Sequence, residues 1–391
     1  MIKRTIENEL HILKNEFPIV VINGPRQSGK TTISKMAFPD HSYVSLEDPE
    51  IRQLAEEDPK GFFDRFNGDV IIDEAQNVPE LFSYLQVLAD ASGKMGKYIL
   101  TGSQNYLVLE KISQSLAGRI GIATLLPFSY EEISAYFNKE PADVDTYLLK
   151  GSYPPIYDRN IRAYSFYSTY IETYVERDIR RVFNISDLSR FRKVLSLLAG
   201  RTGRLLNKQE LAVESGVSHV TIENWISILE ASYIIYRLPS WYKNFNKRVV
   251  KQPKLYFYDT GLAAYLLRIR DRDSLALHYA RGNLFENMVI SEFIKENLNQ
   301  NKGYSFYFWR NNHKKEIDLV VDAGSKVEAL EIKSSATFRK QYLSTLQYWS
   351  EISGVPFENL SLIFDGENEF AHKGIKIRNW RSIHNEFNKM F

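Results

Sequence analysis

The stretch Gly24-Pro25-Arg26-Gln27-Ser28-Gly29-Lys30-Thr31 decides the fold of the first part of the chain. It follows a short apolar run at 18–22 and precedes Thr32 and a segment that can continue as a helix. Strand, glycine loop and helix are the context in which backbone N–H groups close on phosphates at the positive end of a helix. The stretch therefore predicts that residues 24–32 bind a nucleoside triphosphate, with Lys30 reaching the β- and γ-phosphates and Thr31 holding Mg²⁺.

A second motif, Asp69-Val70-Ile71-Ile72-Asp73-Glu74, is an apolar run that ends in two adjacent carboxylates. The chain turns at the end of a strand, so both carboxylates can serve one site although successive strand residues alternate in direction. We expect Asp73 to act through Mg²⁺ and Glu74 to polarise the attacking water as general base. The alternative is an ordinary strand end with solvated acids.

A third apolar run, at 96–101, ends in small polar residues. Ser103 or Gln104 is placed there to sense the γ-phosphate or the attacking water. Arg119 follows a glycine shortly afterwards. Such an arginine could stabilise transferred charge in the site of a neighbouring subunit, which would imply a homo-oligomeric ring. Equally, it could pair with an acid in its own chain.

The composition limits the number of domains and the class of protein. The 391 residues suggest two or three domains, with 44% hydrophobic and 25% charged residues, as in an ordinary soluble protein. The net charge of +2 gives no whole-chain indication of a nucleic-acid partner, and the absence of cysteine excludes disulfides and thiolate metal sites. No signal peptide and no apolar run of about 20 residues is present, so we expect a cytoplasmic protein without membrane contact.

Strand-like and helix-like segments alternate up to about residue 126, with strands expected near 18–22, 42–46, 69–73, 97–101 and 120–125. This alternation predicts an α/β domain with a parallel sheet and helices on both faces.

A helix-turn-helix outline lies in the middle of the chain. A capped helix at 207–214 is followed by a turn that contains Gly216 and by a second helix from His219 to Glu230, whose apolar side we expect to include Val220. If this element docks on DNA, residues 218, 219, 221 and 224 would face the groove. The basic, aromatic segment 242–254 would suit a wing that touches phosphates. Alternatively, the module only packs between domains.

Near the C-terminus, two strand runs flank the turn 322–326. A hairpin symmetric about Gly324–Ser325 would place Asp318 opposite Glu331 and Glu316 opposite Lys333, with all four on one face and the apolar residues 317, 319, 330 and 332 on the other. Asp followed by Glu-x-Lys on adjacent strands is the working core of metal-dependent phosphodiester cleavage in the restriction-endonuclease fold.

Glu286 fits the place of the helix acid that usually completes this core, which makes Glu286, Asp318 and Glu331 candidate metal ligands. Asp318, Glu331 and Lys333 are the candidate catalytic groups. The alternative is an exposed hairpin in which Lys333 and Glu316 form a salt bridge and Asp318 is solvated.

Taken together, these motifs resemble the prokaryotic AAA-type ATPases that carry a C-terminal domain of unknown function 4143. The matching segments are Gly-Pro-Arg-Gln-x-Gly-Lys-Thr at 24–31, Asp-Glu-x-Gln at 73–76, Thr-Gly-Ser-Gln at 101–104, Leu-Ala-Gly-Arg at 116–119, Glu-Arg-Asp-Ile at 176–179, the run 251–262 and Glu-Ile-Asp at 316–318. The resemblance implies a P-loop AAA-type domain (1–140), a helical linker region (141–200), a winged-helix domain (201–260) and a restriction-endonuclease-like PD-(D/E)xK domain (261–391).

We therefore expect an ATP- and Mg²⁺-dependent ATPase that acts on DNA. The alternative is a nucleotide-switched scaffold with an inactive nuclease-like domain and a protein partner.

Overall fold

The computed structural model describes residues 2–103, 116–137, 143–179, 185, 187–241 and 251–390. They form two compact units. The first comprises Met1–Phe128, Ala231–Tyr233 and Leu298–Asn301; the second comprises Ser129–Glu230, Ile234–Asn297 and Lys302–Phe391. The four-part division expected from the sequence stays a prediction. Every helix in the described ranges is too short or too polar to cross a membrane.

The first unit is built on a five-stranded parallel sheet with the order β2-β3-β4-β1-β5. Its strands are β1 (Ile19–Asn23), β2 (Ser42–Ser45), β3 (Val70–Asp73), β4 (Tyr98–Gly102) and β5 (Ile120–Thr124). Each lies within one residue of its predicted bounds. Because all five strands are parallel, the loop that follows β1 begins at the carboxyl edge of the sheet, where α/β folds bind their ligands.

The described residues of this unit contain five α-helices: α1 (Glu7–Glu16), α2 (Lys30–Ala37), α3 (Pro49–Glu57), α4 (Pro59–Arg65) and α5 (Leu81–Ser92). They enclose two separate hydrophobic clusters. Val21 and Ile72 belong to one cluster, whereas their strand neighbours Val20 and Ile71 belong to the other. Since alternate strand residues point to opposite faces, helices cover both faces of the sheet. The predicted fold class is confirmed for this unit.

The second unit begins with helices α6 (Tyr130–Phe137), α7 (Val144–Lys150), α8 (Pro154–Asp158) and α9 (Ala163–Tyr170), a π-helical stretch Ile171–Ile179, and α10 (Leu188–Ala199). The strand β6 (Arg204–Leu205) and the helices α11 (Lys208–Ser215) and α12 (His219–Ala231) follow. The Asn207 side chain caps α11 by accepting from the Glu210 N–H, and Gly216 ends it with a φ of 74°. Strands β7 (Ile235–Leu238) and β8 (Lys254–Phe257) complete a three-stranded antiparallel sheet of order β6-β8-β7.

The last part of the chain contains the short helices α13 (Thr260–Leu266) and α14 (Arg272–Ala276) and the long helix α15 (Arg281–Asn299). It then forms a mixed six-stranded sheet of order β13-β14-β12-β11-β10-β9. The strands are β9 (Ser305–Arg310), β10 (Glu316–Asp322), β11 (Val327–Lys333), β12 (Leu360–Phe364), β13 (Phe370–His372) and β14 (Ile375–Asn379); the remaining helices are α16 (Ser344–Ser353) and α17 (Ile383–Met390).

The hairpin formed by β10 and β11 has the register that symmetry about Gly324–Ser325 predicts, with Leu319 opposite Leu330. The expectation that residues 317, 319, 330 and 332 share one face of this hairpin is wrong. A β-bulge on β10 inserts an extra residue between Ile317 and Val320 relative to β9, so strict alternation is broken there. Ile317 consequently packs in the same hydrophobic cluster as Val320 and Ala329.

Candidate functional site

The glycine loop joins β1 to α2, as predicted. Gly24 has a φ of 148°, and a Cβ on it would overlap the carbonyl oxygen of Leu125, so both the backbone and the space demand glycine. Gly29 precedes α2 with a φ of 96°. The hydroxyl of Ser28 is buried and has no hydrogen-bond partner among the described residues. An orphaned hydroxyl at a helix N-terminus fits a phosphate-binding loop.

Lys30 is the first residue of α2, and only 5% of its surface is exposed. Its ammonium donates to the carbonyl oxygens of Gly24 (3.1 Å) and Pro25 (2.8 Å) in the loop itself. Burial lowers the pKa of Lys30 below its ordinary value, and the nearby carboxylates of Glu74 and Asp73 oppose that shift. The loop therefore holds a cation at its centre.

The Asp73 carboxylate at the end of β3 accepts hydrogen bonds from hydroxyl groups on three other elements. One oxygen accepts from the Thr31 hydroxyl of α2 (2.9 Å) and from the Tyr43 hydroxyl of β2 (2.7 Å). The other oxygen accepts from the Thr101 hydroxyl of β4. Thr31 and Asp73 thus present adjacent oxygen ligands of the kind that Mg²⁺ prefers.

Glu74 adopts a left-handed backbone conformation with a φ of 54°. Such a conformation is costly for a non-glycine residue and often marks a functional site. The Glu74 carboxylate accepts hydrogen bonds from the Ser103 hydroxyl (2.9 Å) and from the Gln76 side chain. The candidate base and the candidate sensor Ser103 are therefore in direct contact, whereas Gln104 lies outside the described residues.

The other residues assigned to the loop take separate positions. Arg26 forms an ion pair with Glu47 at 3.0 Å, Gln27 has a φ of 63°, and Thr32 is exposed on α2. Arg119 pairs with Asp90 of the same chain through its Nε at 2.6 Å and Nη2 at 2.9 Å. This is the local pairing that the sequence left open for Arg119.

The C-terminal hairpin brings the predicted acids together. Asp318 and Glu331 are 6% and 7% exposed. The Lys333 ammonium lies 2.5 Å from Glu331 Oε1 and 3.7 Å from Asp318 Oδ2. Asp318 also accepts from the Ile332 N–H at 2.8 Å. The alternative in which Lys333 pairs with Glu316 and Asp318 is solvated does not match these positions.

Glu286 of α15 lies beside the hairpin. One carboxylate oxygen from each of Glu286, Glu316 and Asp318 can be chosen so that all lie within 4.8 Å of one another. Burial raises the pKa of Glu286 to about 7 and that of Glu331 to about 8. Four carboxyl groups, Glu331 included, therefore converge on one region of this unit, with Glu316 as a member that the sequence analysis did not count as a ligand.

The position of Lys254 contradicts the prediction that this residue contacts phosphates. Lys254 was expected at the end of a phosphate-contacting wing, of which residues 242–250 lie outside the described ranges. Instead, Lys254 opens β8 with 1% of its surface exposed, and its ammonium lies 2.9 Å from Glu286 Oε1. Because the ammonium is buried and contacts the carboxylates of Glu286 and Glu316, this lysine is not available to phosphates.

The two helices α11 and α12 present the predicted polar surface. Ser218, His219 and Asn224 are exposed and Thr221 is half-buried, whereas the apolar residues 222, 225, 226 and 229 are buried. The prediction that Val220 belongs to the apolar side of the helix is wrong, because 67% of its surface is exposed. Val220 neighbours His219 on the outer side of the helix.

Two contacts at the candidate sites were not predicted from the sequence. Tyr43 reaches Asp73 only because β2 pairs with β3, and the sequence carries no signal for that strand order. The Tyr256 hydroxyl donates to Glu286 at 2.5 Å from the same strand as Lys254. The sequence indicates that Lys254 and Tyr256 lie on one face of a strand. It does not indicate that both contact Glu286 on α15.

Comparison with known proteins agrees with these observations. Residues 16–134 match the model of an AAA domain, residues 141–273 match a domain of unknown function (DUF8612), and residues 281–382 match a domain of unknown function (DUF4143). The AAA match contains the glycine loop and the acids at 73–74, and the DUF4143 match contains the acids of the C-terminal hairpin.

Similar proteins include an uncharacterized protein of Mycobacterium tuberculosis, 28% identical over 358 residues, which cover 90% of this chain and 78% of that protein. An uncharacterized protein of Methanocaldococcus jannaschii is 29% identical over 118 residues, which cover 29% of this chain and 25% of that protein. A solved Walker-type ATPase of Pyrococcus abyssi aligns with a TM-score of 0.47 at 16% identity, covering 68% of this chain and 96% of that one. In separate regions, the chain thus matches the models of an AAA domain and of a domain of unknown function 4143, as its motifs predict.

Proposed function

We propose that this protein is a Mg²⁺-dependent ATPase whose second unit engages DNA. The observation that carries the first half of the proposal is the convergence of Lys30, Thr31 and Asp73 at the carboxyl edge of the parallel sheet. The loop residues Gly24 to Thr32 would surround the phosphates of ATP. Lys30, which now donates to loop carbonyls, would transfer its hydrogen bonds to phosphate oxygens.

Thr31 and Asp73 would hold Mg²⁺, and the fit rests on their adjacent oxygen atoms. When bound, the ion would neutralise the charge of the phosphates. Tyr43 and Thr101 would keep the Asp73 carboxylate oriented. Hydrogen-bonded support of this kind is typical for metal-ligating carboxylates.

Glu74 would accept a proton from the water that attacks the terminal phosphorus. Its present partners Ser103 and Gln76 hold the carboxylate in place and would have to yield one acceptor position to that water. Ser103 or Gln104 would sense the nucleotide, and Arg119 would act in the site of a neighbouring subunit after leaving Asp90. Such an action requires a homo-oligomeric ring, which we propose together with a cytoplasmic location.

The DNA-binding part of the proposal rests on α11 and α12. Helix, strand, helix, helix and two further strands is the element order of a winged helix. Ser218 is exposed just before α12, and His219 and Asn224 are exposed on it. This surface carries polar groups rather than arginine. We therefore expect weak, salt-sensitive binding with modest sequence preference.

A second candidate function is favoured by the buried position of Lys254. In this alternative the C-terminal domain is a restriction-endonuclease-like scaffold that does not cleave, and ATP switches the binding of a protein partner. Salt-insensitive binding of that partner and no DNA shift would distinguish it from the first candidate.

The test compares His219→Ala/Asn224→Ala with wild type in DNA binding at two salt concentrations. The control is His11→Ala, which alters an exposed histidine of α1. We expect the double variant to lose at least about tenfold in DNA affinity while the control is unchanged, since removal of groove contacts typically costs about 1–3 kcal/mol. Equal affinity of all three proteins would contradict the assignment of α12.

A further inference from the structure

The carboxylate cluster of the second unit already contains a cation from its own chain. The Lys254 ammonium lies 2.9 Å from Glu286 Oε1 and 4.0 Å from Asp318 Oδ1, and its shortest contact is with Glu316 Oε1. These are the three residues whose carboxylate oxygens lie close enough together to bind one metal ion. The ammonium therefore lies against the same carboxylates that a shared divalent ion would need.

Burial makes this arrangement difficult to displace. Lys254 is 1% exposed and Asp318 is 6% exposed, so little water is present to screen their charges. A divalent cation bound to the same carboxylates at about 2.0–2.6 Å would meet the ammonium at close range and be repelled. The ion and the lysine thus exclude each other.

The charge of the cluster is also nearly balanced without metal. Its four carboxyl groups, those of Glu286, Glu316, Asp318 and Glu331, face three cations. Lys254 serves the first three acids, Arg310 lies 3.1 Å from Glu316, and Lys333 lies 2.5 Å from Glu331. An electrostatic need for a divalent ion is therefore missing among these described groups.

We propose that the Lys254 ammonium is the resident cation of this cluster, which binds no divalent metal while Lys254 is in place. The residues then do not fit the metal-dependent cleavage centre that the Asp and Glu-x-Lys pattern predicts. The cluster instead ties β8 to α15 and β10 through one lysine. Tyr256 reinforces this link, because its hydroxyl donates to the same Glu286 oxygen from the same strand.

The test titrates Mn²⁺ into the full chain without nucleotide and counts bound ions by electron paramagnetic resonance. Wild type and Asp318→Asn should bind the same number. Lys254→Met, which keeps the length of the side chain but not its charge, should bind one more ion per chain. Lys254→Met/Asp318→Asn should bind that ion more weakly than Lys254→Met, and the charge-preserving control Lys254→Arg should not gain it.

Folding is followed by thermal melting in the same samples. Removing one partner of a buried ion pair is strongly destabilising, so Lys254→Met should melt at a lower temperature and recover when Mn²⁺ is added. If this variant does not fold, Lys254→Met/Glu316→Gln removes a carboxylate together with the ammonium and leaves Glu286 and Asp318 as ligands. It should still gain the ion.

Two results would overturn the proposal. In the first, wild type binds one more Mn²⁺ than Asp318→Asn, which would mean that metal and ammonium coexist. In the second, neither folded Lys254→Met nor folded Lys254→Met/Glu316→Gln binds an additional ion, which would mean that the ammonium does not occupy a cation site. Because no nucleotide is present in these titrations, either failure leaves the proposed ATPase function untouched.

Discussion

Tyr43→Phe removes one hydroxyl group from the proposed Mg²⁺ site and leaves the aromatic ring in place. That hydroxyl donates to Asp73 at 2.7 Å, and burial together with this hydrogen bond raises the pKa of Tyr43 to about 12. A hydrogen bond to a charged acceptor contributes about 1.5–3 kcal/mol. Tyr43 is 37% exposed, so we take the lower end of that range, which corresponds to about a tenfold change in affinity.

The expected result follows from the role of the hydroxyl. Without it the Asp73 carboxylate is less well oriented, and second-layer changes of this kind typically weaken metal binding about 10- to 100-fold. The half-saturating Mg²⁺ concentration for ATP hydrolysis should rise about tenfold, while turnover at saturating Mg²⁺ stays close to that of wild type.

The assay is steady-state ATP hydrolysis across a Mg²⁺ series. Tyr84→Phe is the matched control, because Tyr84 is a comparably exposed tyrosine on α5. An unchanged Mg²⁺ dependence in Tyr43→Phe would refute the reasoning. A loss of turnover that saturating Mg²⁺ does not restore would also refute it, since it would place Tyr43 in the chemical step instead.

Two further predictions concern charged pairs. If Arg119 acts in a neighbouring site, Arg119→Ala should lower ATP turnover about 1,000-fold, whereas Asp90→Asn should not; equal effects in an ATPase assay would indicate a local pair only. The hydrogen bond to Glu296, with smaller contributions from two glutamates of α6, raises the pKa of His384 in the folded state. Protonated His384 therefore stabilises the fold at low pH, and this contribution is lost as pH rises through the raised pKa. His384→Gln should reduce the fall in melting temperature between about pH 6 and about pH 9.

The sequence predicts the first unit well because its determinants are local. Apolar runs bounded by glycine and polar residues define the strands, and the loop is specified by the residues at 24–31. Gly24 illustrates this: its positive φ and its close approach to Leu125 require glycine, which the motif supplies. Asp73 and Glu74 likewise lie at the carboxyl end of β3, where the pattern places them.

The contacts that the sequence did not predict depend on long-range topology. Tyr43 meets Asp73 because β2 is the neighbour of β3, and Lys254 meets Glu286 because β8 runs beside α15. The basic sequence around Lys254 predicts a solvated segment. Only the fold shows that acids surround Lys254. It therefore forms an internal ion pair and does not contact phosphates.

The most direct test of the account is ATP hydrolysis with and without DNA, in wild type and in Glu74→Gln. The variant keeps the shape of the side chain but cannot accept the proton from water, so turnover should fall about 100- to 10,000-fold while ATP binding is retained. We predict that DNA stimulates wild-type hydrolysis and that the variant shows no stimulation. Hydrolysis that persists in Glu74→Gln would contradict the assignment of the base, and wild-type turnover indifferent to DNA would contradict the link between the ATPase and DNA.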